Sequence, residues 1–169
     1  MFKIENLKSF FKSFVYAGRG FTDTVRTQRN MRFHLCFGAY TVILGLIVSL
    51  SRLQWAAVLI CCGVVIALEC VNTALEAICD TVTKEFSDGI KRAKDAAAGA
   101  VLAAAAASAA VGAVIFFNRE KMDRLAAFCQ EQRALFVILL LTVPISLIFI
   151  FRRRKHDYKD SDDSNNRQA

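Results

Sequence analysis

A chain of 169 residues that is 55% hydrophobic and has one proline, with a mean hydropathy of +0.37, lies outside the range of soluble globular domains and reads as an all-α membrane protein. The net charge of +7 is spread where it sets topology, and no nucleic-acid-binding motif accompanies it, so no nucleic-acid partner is expected. More than thirty residues rich in Lys, Arg and Phe precede the first apolar stretch, so no signal peptide is expected.

Residues 1–30 are predicted to form a cytoplasmic interfacial helix and a linker. Apolar side chains at Leu7, Phe10, Phe11, Phe14 and Val15 follow the i, i+3, i+4, i+7, i+8 pattern, with Lys8 and Lys12 on the other side. Such an amphipathic helix lies in the membrane interface and does not cross it. Gly18 and Gly20 are predicted to bend the chain before TDTVRTQRNMRFH leads into the first span.

A core of three spans occupies 31–118. The first runs from Leu35 to Ser51. The second starts at Trp55, is free of charge to Leu68, and continues through a polar stripe to about Thr83. The segment KEFSDGIKR then leads to a third span, Ala96–Asn118, built of Ala, Gly and Ser in a pattern that permits close small-xxx-small helix contact. Residues 119–133 are predicted to be an extracytoplasmic loop. ALFVILLLTVPISLIFIF, Ala134–Phe151, is close to the roughly 20 residues a bilayer requires and makes a fourth span. The tail, 152–169, opens with Arg152, Arg153, Arg154 and Lys155 as a stop-transfer cluster and continues as a predicted disordered segment. Lysines and arginines before the first span, after the second and after the fourth place both ends of the chain in the cytoplasm. Cys36, Cys61, Cys62, Cys70 and Cys79 fall in predicted helices without His partners at metal spacing and read as buried small hydrophobes, and only Cys129 is expected outside.

The second span carries the chemistry. Glu69, Asn72, Glu76 and Asp80 follow one another at steps of three, four and four, which at about 100° per residue sets them on one narrow stripe. Val71, Ala74, Leu75, Ala77 and Ile78 around them stay apolar. Ionisable side chains in a membrane helix mark a functional site by default. Neighbouring carboxylates repel unless a cation lies among them, and hard oxygen ligands suit Mg2+. The other available cation is Lys94, with Asp95 beside it, at the start of the third span. Metal, carboxylates and a lysine at a membrane surface point to phosphate chemistry. No P-loop, no G-x-G-x-x-G and no H-x-E is present, so a nucleotide site would be built without them. Blander roles stand beside these: Asp95 as an N-cap of the third span, Lys94 as a snorkelling interface residue, Asp80 paired with Lys84, and His34 packed at the interface.

ECVNTALEAICD (Glu69–Asp80) followed by AKDAAAGAV (Ala93–Val101) resembles the signature of the small prokaryotic integral-membrane lipid kinases, the diacylglycerol kinase and undecaprenol kinase family. RTQRNMRFH (Arg26–His34) resembles the segment before their first span, more of the undecaprenol kinase type. The resemblance covers residues 8 to 117. It implies an ATP- and Mg2+-dependent kinase of a lipid alcohol in the bacterial cell membrane, undecaprenol favoured over diacylglycerol, and a homotrimer with sites between subunits. Residue by residue it implies Glu69 as the general base, Asn72 as the group that positions it, and Glu76 as metal and nucleotide ligand. Lys94 and Asp95 would contact the nucleotide, with Tyr16, Asp80 and Glu85 matching further nucleotide-side positions. Where the family commonly carries a second metal-binding glutamate, this chain has Gln28, whose amide oxygen can ligate Mg2+ without bringing charge. A non-enzymatic ion or proton pathway through the stripe, or an adaptor with a degenerate kinase core, are the alternatives; the apolar run Trp55–Leu68 offers a relay no continuation across the outer half of the bilayer.

Overall fold

The computed structural model describes residues 2–82 and 87–152. Six helices follow one another: α1 (Phe2–Thr27), α2 (Arg29–Ile47), α3 (Arg52–Val82), α4 (Asp88–Phe116), α5 (Arg119–Glu131) and α6 (Arg133–Phe151). Among the described residues there is no strand. Helices α2, α3, α4 and α6 are each long and apolar enough to cross a membrane. The protein is an all-α membrane protein with the four predicted spans.

Contacts between helix ends fix the spans as antiparallel in turn. Gln28, just before α2, reaches Glu76 near the end of α3; Lys94 of α4 reaches Asp80; and Arg32 of α2 reaches the carbonyl of Ile150 in α6. The start of α2, the end of α3, the start of α4 and the end of α6 therefore share one end of the bundle. At the opposite end Val48, Leu50, Val58 and Ile115 form a buried cluster under Trp55, Phe116 and Leu125. Large side chains such as Leu53, Leu102, Leu141 and Ile148 point outward, as lipid-facing helices require.

Several predicted elements are corrected. Gly18 and Gly20 do not bend the chain: α1 runs through both, and a Cβ at either would meet nothing within 4 Å. An isolated glycine costs a helix about 1 kcal/mol, too little to end one. The break falls at Gln28, whose backbone is extended (φ −94, ψ 121), so α2 starts six residues before the predicted Leu35. Residues 119–133 are no loop but chiefly helix α5. Asn118 caps it by accepting from the N–H groups of Glu120 (2.9 Å) and Lys121 (3.4 Å), and Arg124 pairs with Glu120 at 2.8 Å. The ammonium of Lys121 is buried and donates to the carbonyls of Val48 and Ser49, each at 3.2 Å. Asp95 is not an N-cap, because α4 opens at Asp88 after Ser87 and Asp95 lies two turns inside it. The small-residue pattern of α4 only partly serves packing. Its chief neighbour is α3, but its buried positions are Val101 and Ile115, while Gly99 and Gly112 face open space. The tail from residue 153, Lys84 and Glu85 lie outside the described residues.

The turn between α2 and α3 depends on Gly45. A Cβ there would stand 2.9 Å from both Leu50 Cδ1 and Trp55 Cη2, side chains held in and against the buried cluster. Overpacking of this kind costs about 1–3 kcal/mol. Gly45→Ala is therefore expected to lower the thermal unfolding midpoint in detergent by several degrees, whereas Gly99→Ala, at an open helical position, leaves it unchanged or raises it.

Candidate active site

Helix α3 continues without a breaker from its apolar half into the polar stripe, so the four stripe residues keep helical register and descend in burial. Glu69 is 1% exposed and Asn72 5%; Glu76 is half-buried; the Asp80 side chain is 69% exposed. The stripe thus leads from the dry interior of the bundle to its wet end. The carboxylate of Glu69 receives no hydrogen bond from a described residue; only its backbone carbonyl is engaged, by the Thr73 hydroxyl at 2.8 Å.

Two amides converge on Glu76. Asn72 Nδ2 donates to one carboxylate oxygen at 3.1 Å, and Gln28 Nε2 donates to the other at 3.4 Å. The second contact spans 48 residues of sequence and exists because the chain breaks at Gln28, which leaves its side chain free of any capping bond to α2. Asn72 Oδ1 is buried with no donor near it. A buried acceptor without a partner calls for a donor or a cation. Among the described residues no three His, Cys, Asp or Glu side chains gather as a metal cluster. The donor set that a cation would meet is one carboxylate and two amide groups whose oxygens can turn inward. These are hard oxygen ligands and fit Mg2+ when phosphate oxygens complete the shell.

The remaining predicted residues are placed less centrally. Lys94 forms an ion pair with Asp80, at the exposed end of the stripe; this binds α4 to α3 where sequence alone offered Lys84 as the partner. Asp95 is exposed on α4. Tyr16 is 62% exposed on α1, twelve residues and so about 18 Å of helix before Gln28. Glu85 lies outside the described residues. On the other side of Glu69, an apolar cavity of about 470 Å³ lies between α2, α3 and α4, lined by Phe37, Leu44, Val65, Ala109 and Phe116 among others. Val65 stands one helical turn from Glu69, so a long apolar chain in the groove would bring its polar head toward the carboxylate.

Sequence reasoning missed Arg32. It is 8% exposed, and it donates to carbonyls of both α1 and α6. In the sequence it is one arginine among several at the start of a span, and only its position four residues after Gln28 hinted at a role.

A family model described as prokaryotic diacylglycerol kinase matches residues 15–116. The undecaprenol kinase of Bacillus subtilis (strain 168) is 44% identical over 113 residues, which cover 67% of this chain and 92% of that protein. A diacylglycerol kinase of Synechocystis sp. is 38% identical over 91 residues, covering 53% of this chain and 52% of that protein. A diacylglycerol kinase of Helicobacter pylori (strain J99) is 24% identical over 100 residues, covering 59% and 78%. No solved structure matches significantly. With the matched region spanning α2, α3 and α4 and the whole polar stripe, the chain belongs to the prokaryotic diacylglycerol kinase family and is a membrane lipid kinase.

Proposed function

We propose that the protein transfers the terminal phosphoryl group of ATP to the hydroxyl of undecaprenol, in preference to diacylglycerol, at the cytoplasmic face of a bacterial cell membrane. The observation that carries this reading is the graded array Glu69–Asn72–Glu76, buried at one end, joined by Gln28 and open at the other beside Lys94. The preference for the polyprenol rests on the relative from Bacillus subtilis, named undecaprenol kinase, being more similar than the two diacylglycerol kinases.

In this reading the lipid hydroxyl reaches Glu69 from the apolar groove. Its O–H bond breaks as its oxygen attacks the γ-phosphorus, the proton passes to the Glu69 carboxylate, and the bond from phosphorus to the bridging oxygen of ADP breaks. Such transfer asks the protein mainly for positioning and charge neutralisation. Glu69 suits a base because no described donor occupies its oxygens. Asn72 keeps the helix face between base and nucleotide polar and oriented. Glu76, with the amide oxygens of Gln28 and Asn72, would hold Mg2+, which when bound neutralises phosphate charge. Lys94 exchanges Asp80 for nucleotide phosphate, with Asp80, Asp95, Tyr16 and Glu85 on the nucleotide side. Tyr16 and Asp95 are exposed, open to a nucleotide or to a second copy of the chain, and the family resemblance makes the assembly a homotrimer with sites between subunits. The clustered basic residues at the Gln28 end of the bundle support a cytoplasmic position for it and for both chain ends.

Purified protein given labelled ATP is expected to phosphorylate a C55 polyprenol with a higher kcat/KM than diacylglycerol, and Glu69→Gln to lower kcat by about 10²–10⁴-fold, the usual worth of a general base. Equal rates on both lipids would remove the stated preference, and full activity in the Gln variant would remove Glu69 as base. Lys94→Ala is expected to raise the KM for ATP with little change in the KM for lipid, read from steady-state kinetics with each substrate varied. Gln28→Glu adds a charge beside Glu76 and is expected to lower the Mg2+ concentration for half-maximal activity by about tenfold, as a gain of about 1.4 kcal/mol would. An unchanged requirement would take position 28 out of the metal site.

A further inference from the structure

Helix α6 lies outside the region that matches the kinase family. We propose that it is a positioning element for the active site, acting through Arg32, a positioning residue that fixes the chain break from which Gln28 reaches Glu76. The inference rests on reading Gln28 and Glu76 as the metal side of the site.

Arg32 is buried, and no carboxylate of a described residue pairs with it. Its Nη1 donates to the carbonyls of Val25 (3.1 Å) and Arg26 (3.0 Å), in the last turn of α1. Its Nε and Nη2 donate to the carbonyl of Ile150 (3.2 and 3.1 Å), and Nη2 also reaches that of Arg152 (3.5 Å), at the end of α6. Both sets are carbonyls that a helix end leaves without an intrahelical donor. Each helix C-terminus carries about half a negative charge, so two of them together offset one guanidinium. A rigid planar fork is required to serve two helix ends at once, which suits Arg and not Lys.

The consequence reaches the site along one turn of helix. Arg32 N donates to the Gln28 carbonyl at 3.4 Å, and Val25 and Arg26 stand just before the break on its other side. With the carbonyls of α1 held by Arg32, the chain stops its first helix at Thr27 and restarts at Arg29, and the Gln28 side chain turns to Glu76. Without α6 the guanidinium would lose the Ile150 and Arg152 contacts and one of its two anchors. Helix α6 is in turn fastened to α2 farther along, where the Tyr40 hydroxyl bonds those of Thr142 (2.9 Å) and Ser146 (2.8 Å). Arg29 also lies over the Phe151 ring, 5.9 Å from its centroid. Polar contacts are an effective way to seat one span on another in lipid, where apolar surface gives no preference for protein over solvent. Three residues that hold α6 therefore all lie on α2, the helix that begins just after Gln28.

The test uses the full chain in detergent. Two variants loosen the device at different points: Arg32→Gln at the fork, and Tyr40→Phe with Ser146→Ala at the distant fastening. Two readouts are taken. The first is limited trypsin cleavage after Arg26 and Arg29, located by mass spectrometry, which reports opening of the break without turnover. The second is the Mg2+ concentration for half-maximal activity, with the KM for lipid measured alongside. Both variants are expected to speed cleavage at the break. Arg32→Gln is expected to raise the Mg2+ requirement about 10- to 100-fold, the range for losing a group that orients a metal ligand, with the lipid KM unchanged. The Tyr40/Ser146 pair is expected to move it the same way by less, and Arg32→Lys to recover only part of the loss. Faster cleavage in the Tyr40/Ser146 pair with an unchanged Mg2+ requirement would make α6 an anchor alone and overturn the proposal. So would unchanged cleavage in that pair, which stands even if Arg32→Gln does not fold. If the cleavage results hold but Gln28→Glu leaves metal dependence untouched, the failure lies with the metal reading and not with the clamp on the break.

Discussion

A polar group carried into hydrocarbon has to find its partner inside the protein, and that constraint sorts the buried polar residues of this chain into two kinds. Arg32, Lys121 and Thr24 are satisfied by backbone carbonyls: two helix ends, the end of α2, and the carbonyl of Gly20 at 3.0 Å. They are structural: Arg32 and Lys121 close gaps that helix ends leave open, and the Thr24 hydroxyl bonds back within its own helix. Glu69 and Asn72 are buried as well, and their side-chain oxygens have no such backbone partner. One has a carboxylate without a described donor, the other an amide oxygen without one. Buried polar groups left open in an otherwise well-paired structure are where a ligand completes the bonding, so the accounting of hydrogen bonds locates the site without reference to its chemistry.

The stripe owes its usefulness to being continuous with a span. A loop could present the same four side chains, but not graded from 1% to 69% exposure along a single axis. Helical rise converts sequence order into depth: from Glu69 to Glu76 is seven residues, about 10 Å. A helix that passes from dry to wet borders the apolar groove at Val65 on one side of Glu69 and the exposed pair of Asp80 and Lys94 on the other. Ordinary packing maintains the arrangement, since the buried cluster that aligns α2, α3 and α4 sits at the far end of the bundle, away from the polar stripe.

What was legible in the sequence was whatever local periodicity or composition encodes. The four spans, the amphipathic start of α1 and the stripe on α3 all follow from which residues recur at which spacing, and the helices appear close to the expected positions. The misses were decided by contacts distant in sequence or by balances too fine for composition. Gly18 and Gly20 looked like a bend, but propensity alone does not stop a helix, and the break at Gln28 is held by Arg32 through α6, 118 residues away. The 119–133 segment looked like a loop because its charge masks its pattern; Asn118 followed by Glu120 was a cap signal available in the sequence. Of the site, the Glu69–Asn72–Glu76 line could be read from spacing, and Gln28 joined it from the resemblance. The pairing of Asp80 with Lys94 could not be chosen over Lys84 without the third dimension, because both lysines lie within reach of a short connection.

Gln28 shows how charge and geometry trade against each other in this site. Two carboxylates about 4 Å apart at an effective dielectric near 20 repel by about 4 kcal/mol, so a glutamate facing Glu76 would be held in place chiefly by a bound cation. An amide at the same position has an N–H to offer, and it closes on Glu76 at 3.4 Å with no cation required. Gln28 is therefore held beside Glu76 by its own hydrogen bond, without the second negative charge that a glutamate would bring. A buried arginine that clamps two helix ends next to Gln28 stands one turn from the backbone that carries this amide, so the end of α6 is packed directly behind the segment that reaches Glu76.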